Sequence, residues 1–210
     1  MTQKVRGPIT EVDADCSARE KSYVKLDVAC GNNKREGFIG LDIAEETEAN
    51  WLCNLNYYPW QYKEIVKRHE SGIQHLPLQK IADSSVGEVF CSHYIEHVKD
   101  LKKFAEELHR IMIPGGRVNF IAPYYSSIRA MQDPTHVNFI SECTFLYWNK
   151  SWMEQNKLMH YNMNCDFVVT SHRYIYYPEW ASKSDSAREF ARKHYMNVVM
   201  DIDITLQAVK

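Results

Sequence analysis

Apolar side chains fall in short runs near the start of the chain and at wider, regular spacing in its middle. Residues 23–29 (YVKLDVA) and 37–43 (GFIGLDI) are short, β-rich and apolar, so both read as strands. Residues 51–55 (WLCNL) are a third strand candidate. Residues 61–69 have helical composition and run out near Ser71-Gly72, a stop signal. Residues 86–92 (VGEVFCS) predict a buried strand. From Ile95, apolar residues recur at Val98, Leu101, Phe104, Ala105, Leu108, Ile111 and Met112, steps of three and four that predict one amphipathic helix. Pro114-Gly115-Gly116 ends it, and residues 117–122 (RVNFIA) read as a strand again. Strand, helix, turn and strand in that order form a parallel α/β unit.

The last third changes character. Residues 167–177 are β-branched and aromatic, residues 182–196 have helical composition, and residues 197–209 alternate apolar and polar side chains late in their run. Two antiparallel strands at a sheet edge, with a helical excursion between them, are expected. There is no internal repeat, low-complexity segment or clear linker, so residues 23–210 are expected to form one domain. Residues 1–22, polar and mixed in charge, read as a frayed leader.

Composition narrows the partners. A chain of 210 residues with a formal net charge of −2 carries no basic field to attract nucleic acid or anionic lipid. No apolar run approaches a membrane span, and no secretory signal is recognisable. Six cysteines lie far apart with no C-x-x-C pair, which suits free thiols and a cytoplasmic location.

The candidate chemistry begins at residues 26–43, LDVACGNNKREGFIGLDI. A strand ending in small residues lets the backbone approach a ligand, and glycine permits the dihedrals such a turn needs. An acid ending the next parallel strand, here Asp42, can accept hydrogen bonds from both hydroxyls of a ribose. The fingerprints G-x-G-x-x-G and G-x-x-x-x-G-K-[ST] are absent, so a cofactor here is an adenosine without pyrophosphate. The short separation of Asp27 and Asp42 leaves little room for a crossover helix, so these residues alone leave a β-hairpin and a cofactor loop both open.

His93-Tyr94-Ile95-Glu96-His97 also spells H-x-x-E-H, the inverted zinc-protease motif, in which His93 and His97 grip the metal and Glu96 acts as base. That motif needs a helical His93, whereas the strand at residues 86–92 puts His93 at a strand–helix junction. No bound metal is therefore expected, and the metalloprotease stands as a rival reading.

Three segments occur in a telling order: LDVACGNNKREGFIGLDI, then SSVGEVFCSHYIEHVKDLKKFAEELHRIMIPGGRVNFIAPYYSS, then DPTHVNFISECTF. In these the chain resembles class I S-adenosylmethionine-dependent methyltransferases, especially a subgroup with an abbreviated first crossover. The resemblance implies a doubly wound α/β domain of Rossmann-like form, with a mostly parallel seven-stranded sheet and an antiparallel C-terminal strand. It implies S-adenosyl-L-methionine as cofactor and a small molecule, sugar-like among the candidates, as methyl acceptor. By that resemblance Asp27, Ala29, Cys30 and Gly31 form the loop beneath the methionine part, Asp42 binds the ribose and Ile43 packs on the adenine. Asn54 and Leu55 fall near the adenine amino group, while Ser92, His93 and Tyr94 face the transferable methyl. His93 is the first choice of general base, with His97 and His136 as alternatives. Ala29 replaces a usual glycine and Asn54 a usual acid, so a non-catalytic cofactor-binding module is the other alternative.

Aromatic residues Tyr57, Tyr58, Trp60, Tyr124 and Tyr125 either line an acceptor pocket or pack. Asp133 and His136 of DPTH are an acid–base pair or a helix cap. Segments 57–60, 124–136 and 176–180 are expected to converge over His93 and enclose a pocket.

Overall fold

Alternation along the first strand sets the layout. In the computed structural model, which describes residues 23–69 and 72–210, β1 (Val24–Val28) buries Leu26 and Val28 completely on one face. Lys25 and Asp27 turn to the other, as the two-residue period of a strand requires. The expected leader, residues 1–22, lies outside the described residues.

Eight strands follow β1 into one continuous path. They are β2 (Ile39–Asp42), β3 (Trp51–Cys53), β4 (Gln61–His69) and β5 (Gly72–His75), then β7 (Val86–Ser92), β8 (Met112–Pro123), β9 (Phe167–Tyr176) and β10 (Val199–Ala208). A short β6 (Gln79–Lys80) pairs with β4 off that path. The order is β5-β4-β3-β2-β1-β7-β8-β10-β9. Pairs β1–β2, β2–β3, β1–β7 and β7–β8 are parallel, while β10 runs antiparallel to both β8 and β9. The expected seven-stranded sheet with an antiparallel last strand is therefore present as β3-β2-β1-β7-β8-β10-β9. Three further strands, β4 to β6, extend it beyond β3.

That extension corrects the helix expected at residues 61–69. The segment pairs with β3, Cys53 opposite Tyr62 and Trp51 opposite Glu64, and the Trp51 and Tyr62 rings stack at 3.8 Å. Cross-strand pairing of this kind overrides a helical composition that is only a weak local preference. The single helix expected from Ile95 to Met112 is also divided. A 3-10 turn covers Ile95–His97, and α1 (Leu101–Ile111) starts only after Asp100, whose carboxylate accepts from Lys103 N. Asn138 fills the break: its Nδ2 donates to the carbonyls of Ile95 at 3.1 Å and Val98 at 2.6 Å, satisfying groups that a continuous helix would have bonded internally. Pro114-Gly115-Gly116 then lies inside β8 rather than ending the helix.

The remaining helices are α2 (Ile128–Gln132), α3 (Lys150–Gln155), α4 (Pro178–Ala181) and α5 (Asp185–His194), the last capped by Ser184. The core lies on one face of the sheet. Phe104 of α1 meets Phe120 and Trp60, Phe145 and Trp148 of the 3-10 turn Glu142–Trp148 meet Phe120, and Arg192 of α5 lies over Tyr174. The opposite face carries Lys25, Glu88, Arg117, Asn119, Asp203 and Arg173 instead, and no helix joins β1 to β2 or β2 to β3. No helix among the described residues is long and apolar enough to cross a membrane. Their five cysteines, Cys30, Cys53, Cys91, Cys143 and Cys165, are free thiols.

Glu107 locks α1 to the β3–β4 turn. Its buried carboxylate accepts from Trp60 N at 2.6 Å and from Arg110 at 2.6 and 2.9 Å. Glu107→Ala strands a buried N–H and a guanidinium, and is expected to lower the unfolding free energy by about 3 kcal/mol in urea titrations. Glu107→Gln, which keeps an acceptor for Trp60, is expected to lose less; equal losses would show that the amide contact contributes nothing.

Candidate active site at the carboxyl ends of the parallel strands

Strands β1, β2, β3, β7 and β8 all end on the same edge, where ligands of such sheets bind. The chain leaves β1 through Ala29, held at φ +56°, and Gly31, at φ +53°. Left-handed backbone is costly for an alanine, and the neighbouring bonds enforce it. Cys30 N donates to Leu41 O at 3.1 Å, and Glu48 N to Gly31 O at 2.9 Å. Asp42 closes the loop: one carboxylate oxygen accepts from Gly31 N at 3.0 Å and the other from Ala44 N at 3.1 Å. Each oxygen keeps a lone pair for a further donor.

A cavity of about 250 Å³ opens beside this loop. Ala29, Asp42, Ile43, Asn54 and Leu55 line it, together with Tyr94, Cys53 and Asn56. The last two had no signal in the sequence beyond flanking Asn54 and Leu55. A second cavity of about 360 Å³ shares Asn54 and is walled by Tyr57, Tyr58, Pro59 and Leu78. A third, of about 380 Å³, lies elsewhere, on the helix-free face among Arg35, Glu88, Arg117, Asn119, Arg173 and Asp203. It is a polar trough on the sheet, away from the strand ends.

Other sequence-expected residues stand apart from the 250 Å³ cavity. Asp27 is buried and accepts from Arg35 N at 2.7 Å, so it holds the loop from the sheet's other face. Burial raises its pKa, against the lowering by the Arg35 hydrogen bond. Burial also pushes the Cys30 thiol up to about 12, with the Asp27 and Asp42 charges adding to the rise, so it is protonated at neutral pH. Trp60 is wholly buried, its indole donating to Leu55 O at 3.1 Å, and Tyr124 is buried with its phenol on Glu142 at 3.1 Å. Both pack rather than line a pocket. Of the three segments expected to converge, 124–136 and 176–180 meet through Ser127 Oγ and Tyr177 Oη at 2.9 Å. Segment 57–60 sits instead at the β3–β4 turn.

His93 ends β7 at φ +53°, its N–H donating to Ile121 O at 2.8 Å. This left-handed turn breaks any helix through residues 93–97, so His93 and His97 do not occupy successive helical turns. The metalloprotease arrangement fails on that ground. His93 Nδ1 lies 3.5 Å from Glu96 Oε1, and its side chain is 38% exposed at the strand end. Glu96 instead gathers His97 and His136: one ligand atom from each of the three lies within 4.8 Å of the others. Val137 N and Asn138 N both donate to Glu96 O, which brings the DPTH segment onto the turn. Asp133 spends its carboxylate on Thr135, N at 2.8 Å and Oγ1 at 2.7 Å, and these bonds lower its pKa. It caps a turn there, with His136 Nε2 3.9 Å away.

Residues 26–120 match a family model described as a methyltransferase domain. The strand order around β1, the antiparallel last strand and this match agree. Residues 26–120 thus carry a methyltransferase-domain match, and the fold is that of class I S-adenosylmethionine-dependent methyltransferases. Among solved structures the chain is similar to an S-adenosylmethionine-dependent methyltransferase from Archaeoglobus fulgidus, at 17% identity and a TM-score of 0.50, covering 89% of this chain and 87% of that one. A complex between the Haloferax volcanii Trm112 methyltransferase activator and a methyltransferase is also similar, at 13% identity and a TM-score of 0.50, covering 90% and 83%. At such identities the likeness speaks for the fold. No curated protein matches the sequence significantly.

In the folded chain the charge on Asp27 opposes folding. Its folded pKa is above the unfolded value of 3.8, so the cost is present above the folded pKa and vanishes as pH falls through it towards 3.8. Asp27→Asn keeps an acceptor for Arg35 N–H and is expected to be more stable than the native chain at pH 7, the gain shrinking in denaturation curves at pH 5 and 4. A loss at pH 7 would show that the carboxylate's bond to Arg35 outweighs its burial.

Proposed function

We propose that the chain binds S-adenosyl-L-methionine and transfers its methyl group to a small-molecule acceptor. The observation that carries this reading is the 250 Å³ cavity, lined by five residues that the resemblance assigns to the cofactor. In this reading the free lone pairs of Asp42 accept the ribose hydroxyls, and Ile43, 63% exposed, covers the adenine. Asn54 and Leu55 border the adenine edge. Asp27, Cys30 and Gly31 act through the loop: they fix the path by which Ala29 and the backbone N–H groups approach the methionine part. Ser92 and His93 close β7 on the methyl side.

When bound, the sulfonium supplies both the methyl group and a good leaving group. What the chain must add is alignment of the acceptor, exclusion of water and, for an acceptor that loses a proton, a base. His93 suits the last task, being exposed at the strand end with Glu96 beside its Nδ1. His97 and His136 are the alternatives through Nε2, each having Nδ1 engaged, on Thr135 Oγ1 and on Ala130 O, both at 3.0 Å. The net charge of −2 accords with a small acceptor over nucleic acid.

S-adenosylhomocysteine is expected to raise the melting temperature, since a ligand of the native state alone stabilises it, and NAD and ATP to do less. Asp42→Ala is expected to cost about 1.5–3 kcal/mol of S-adenosylhomocysteine affinity by calorimetry, the range for hydrogen bonds to a charged group. Circular dichroism checks that the loop tied by Gly31 and Ala44 survives. A folded protein with no melting shift and no heat at millimolar ligand would overturn the reading.

A further inference from the structure

We infer that Glu96, His97 and His136 hold one divalent first-row transition-metal ion at the edge of the candidate active site. Their ligand atoms already lie within 4.8 Å of one another. Two imidazoles and one carboxylate are a donor set for iron, zinc, cobalt or nickel, whereas magnesium and calcium prefer oxygen alone.

The hydrogen bonds fix both rings in the tautomer a metal needs. Ala130 O can only accept, so His136 Nδ1 at 3.0 Å carries the proton and Nε2 keeps its lone pair. Thr135 Oγ1 donates to Asp133 Oδ1 at 2.7 Å and so accepts from His97 Nδ1 at 3.0 Å, leaving His97 Nε2 free in the same way. Orienting partners of this type, a backbone carbonyl and a carboxylate-backed hydroxyl, commonly stand behind metal-bound histidines.

The carboxylate gives an independent sign. Glu96 is 2% exposed, and its Oε2 is buried without any hydrogen-bond partner. Asp201 is also buried, with Oδ1 unpartnered. Arg129 answers Asp201 alone, at 2.7 Å. A buried carboxylate oxygen without a donor, on a side chain with a ligand atom within 4.8 Å of those of two imidazoles, marks a place for a cation. The expectation of no metal considered His93 with His97; His136 replaces His93 here, and the protease chemistry is not part of the inference.

Three protein ligands leave coordination positions open, and these can hold an oxygen of the acceptor. That role rests on the methyl-transfer reading; metal binding does not. The test is titration of chelator-treated, metal-free protein with cobalt(II) chloride, read by visible absorption. One cobalt per chain is expected, displaced by zinc. Glu96→Gln and His136→Ala are each expected to weaken binding at least tenfold, while His160→Ala, at a distant turn, changes nothing. Circular dichroism confirms that the variants are folded, and Glu96→Gln keeps the size of the side chain should His136→Ala fail to fold. Absence of cobalt uptake, or uptake that both substitutions leave unchanged, would overturn the inference. Retained cobalt binding without S-adenosylhomocysteine binding would remove the methyl-transfer reading and leave the metal site standing.

Discussion

The parallel register of β1 and β2, closed across residues 29–38 alone, is the constraint on which the rest of the molecule depends. Leu26 faces Ile39, Asp27 faces Gly40 and Val28 faces Leu41. A hairpin would have paired these runs in the opposite sense. To return along the sheet without a crossover helix, the chain must hug it closely. A Cβ placed on Gly40 would lie 2.7 Å from Cys30 Sγ and 2.8 Å from Lys34 Cδ, so a larger residue there would displace these side chains. Arg35 then crosses the sheet surface with its guanidinium 4.5 Å from the Phe90 ring centre, and its N–H anchors to Asp27. The buried aspartate and the cation–π contact take the place of a packed helix.

Removing that helix layer changes what the sheet face must be. Without cover it needs polar side chains, and the alternation along β1, β7, β8 and β10 supplies them. Lys25 pairs with Glu88 at 2.9 Å, and Arg173 with Asp203 at 2.8 Å. Asn119 reaches Asp203 at 2.7 Å and Thr205 at 3.1 Å. Exposed pairs of this kind add little stability, so the fold rests on the other face, with α1 against Phe120 and Trp60. The polar trough is accordingly a by-product of the short connection and not a second version of the site at the strand ends.

The same constraint shapes the site. Val28 and Cys91 are partners on neighbouring strands, and just beyond them both chains turn through a left-handed residue that is not glycine, Ala29 and His93. Cys30 N and His93 N bond to the adjacent strands and hold those turns in place. Strain at two neighbouring strand ends, over-determined by its surroundings, is typical of places where ligands meet backbone. One turn opens onto the cavity beside Asp42. The other delivers His93 to the edge and lets Glu96 fold back into the protein, where Asn138 and its neighbours secure it.

Much of this was legible in the residues themselves. Short apolar runs located β1, β2, β7 and β10, and the stripe from Leu101 to Ile111 located α1, because each is decided by burial of a locally repeating face. The resemblance named Ala29, Asp42, Ile43, Asn54 and Leu55, and these five line the cavity. Other features were settled only by distant partners. Residues 61–69 became a strand because Trp51 stacks on Tyr62; the 95–112 stripe broke because Asn138, forty residues later in the chain, bonds its carbonyls. The motif H-x-x-E-H pointed to Glu96 and His97 but chose the wrong third residue. Whether a histidine joins them depends on the φ of His93 and on the docking of the DPTH loop, and both are set by contacts across the fold that no local spacing encodes.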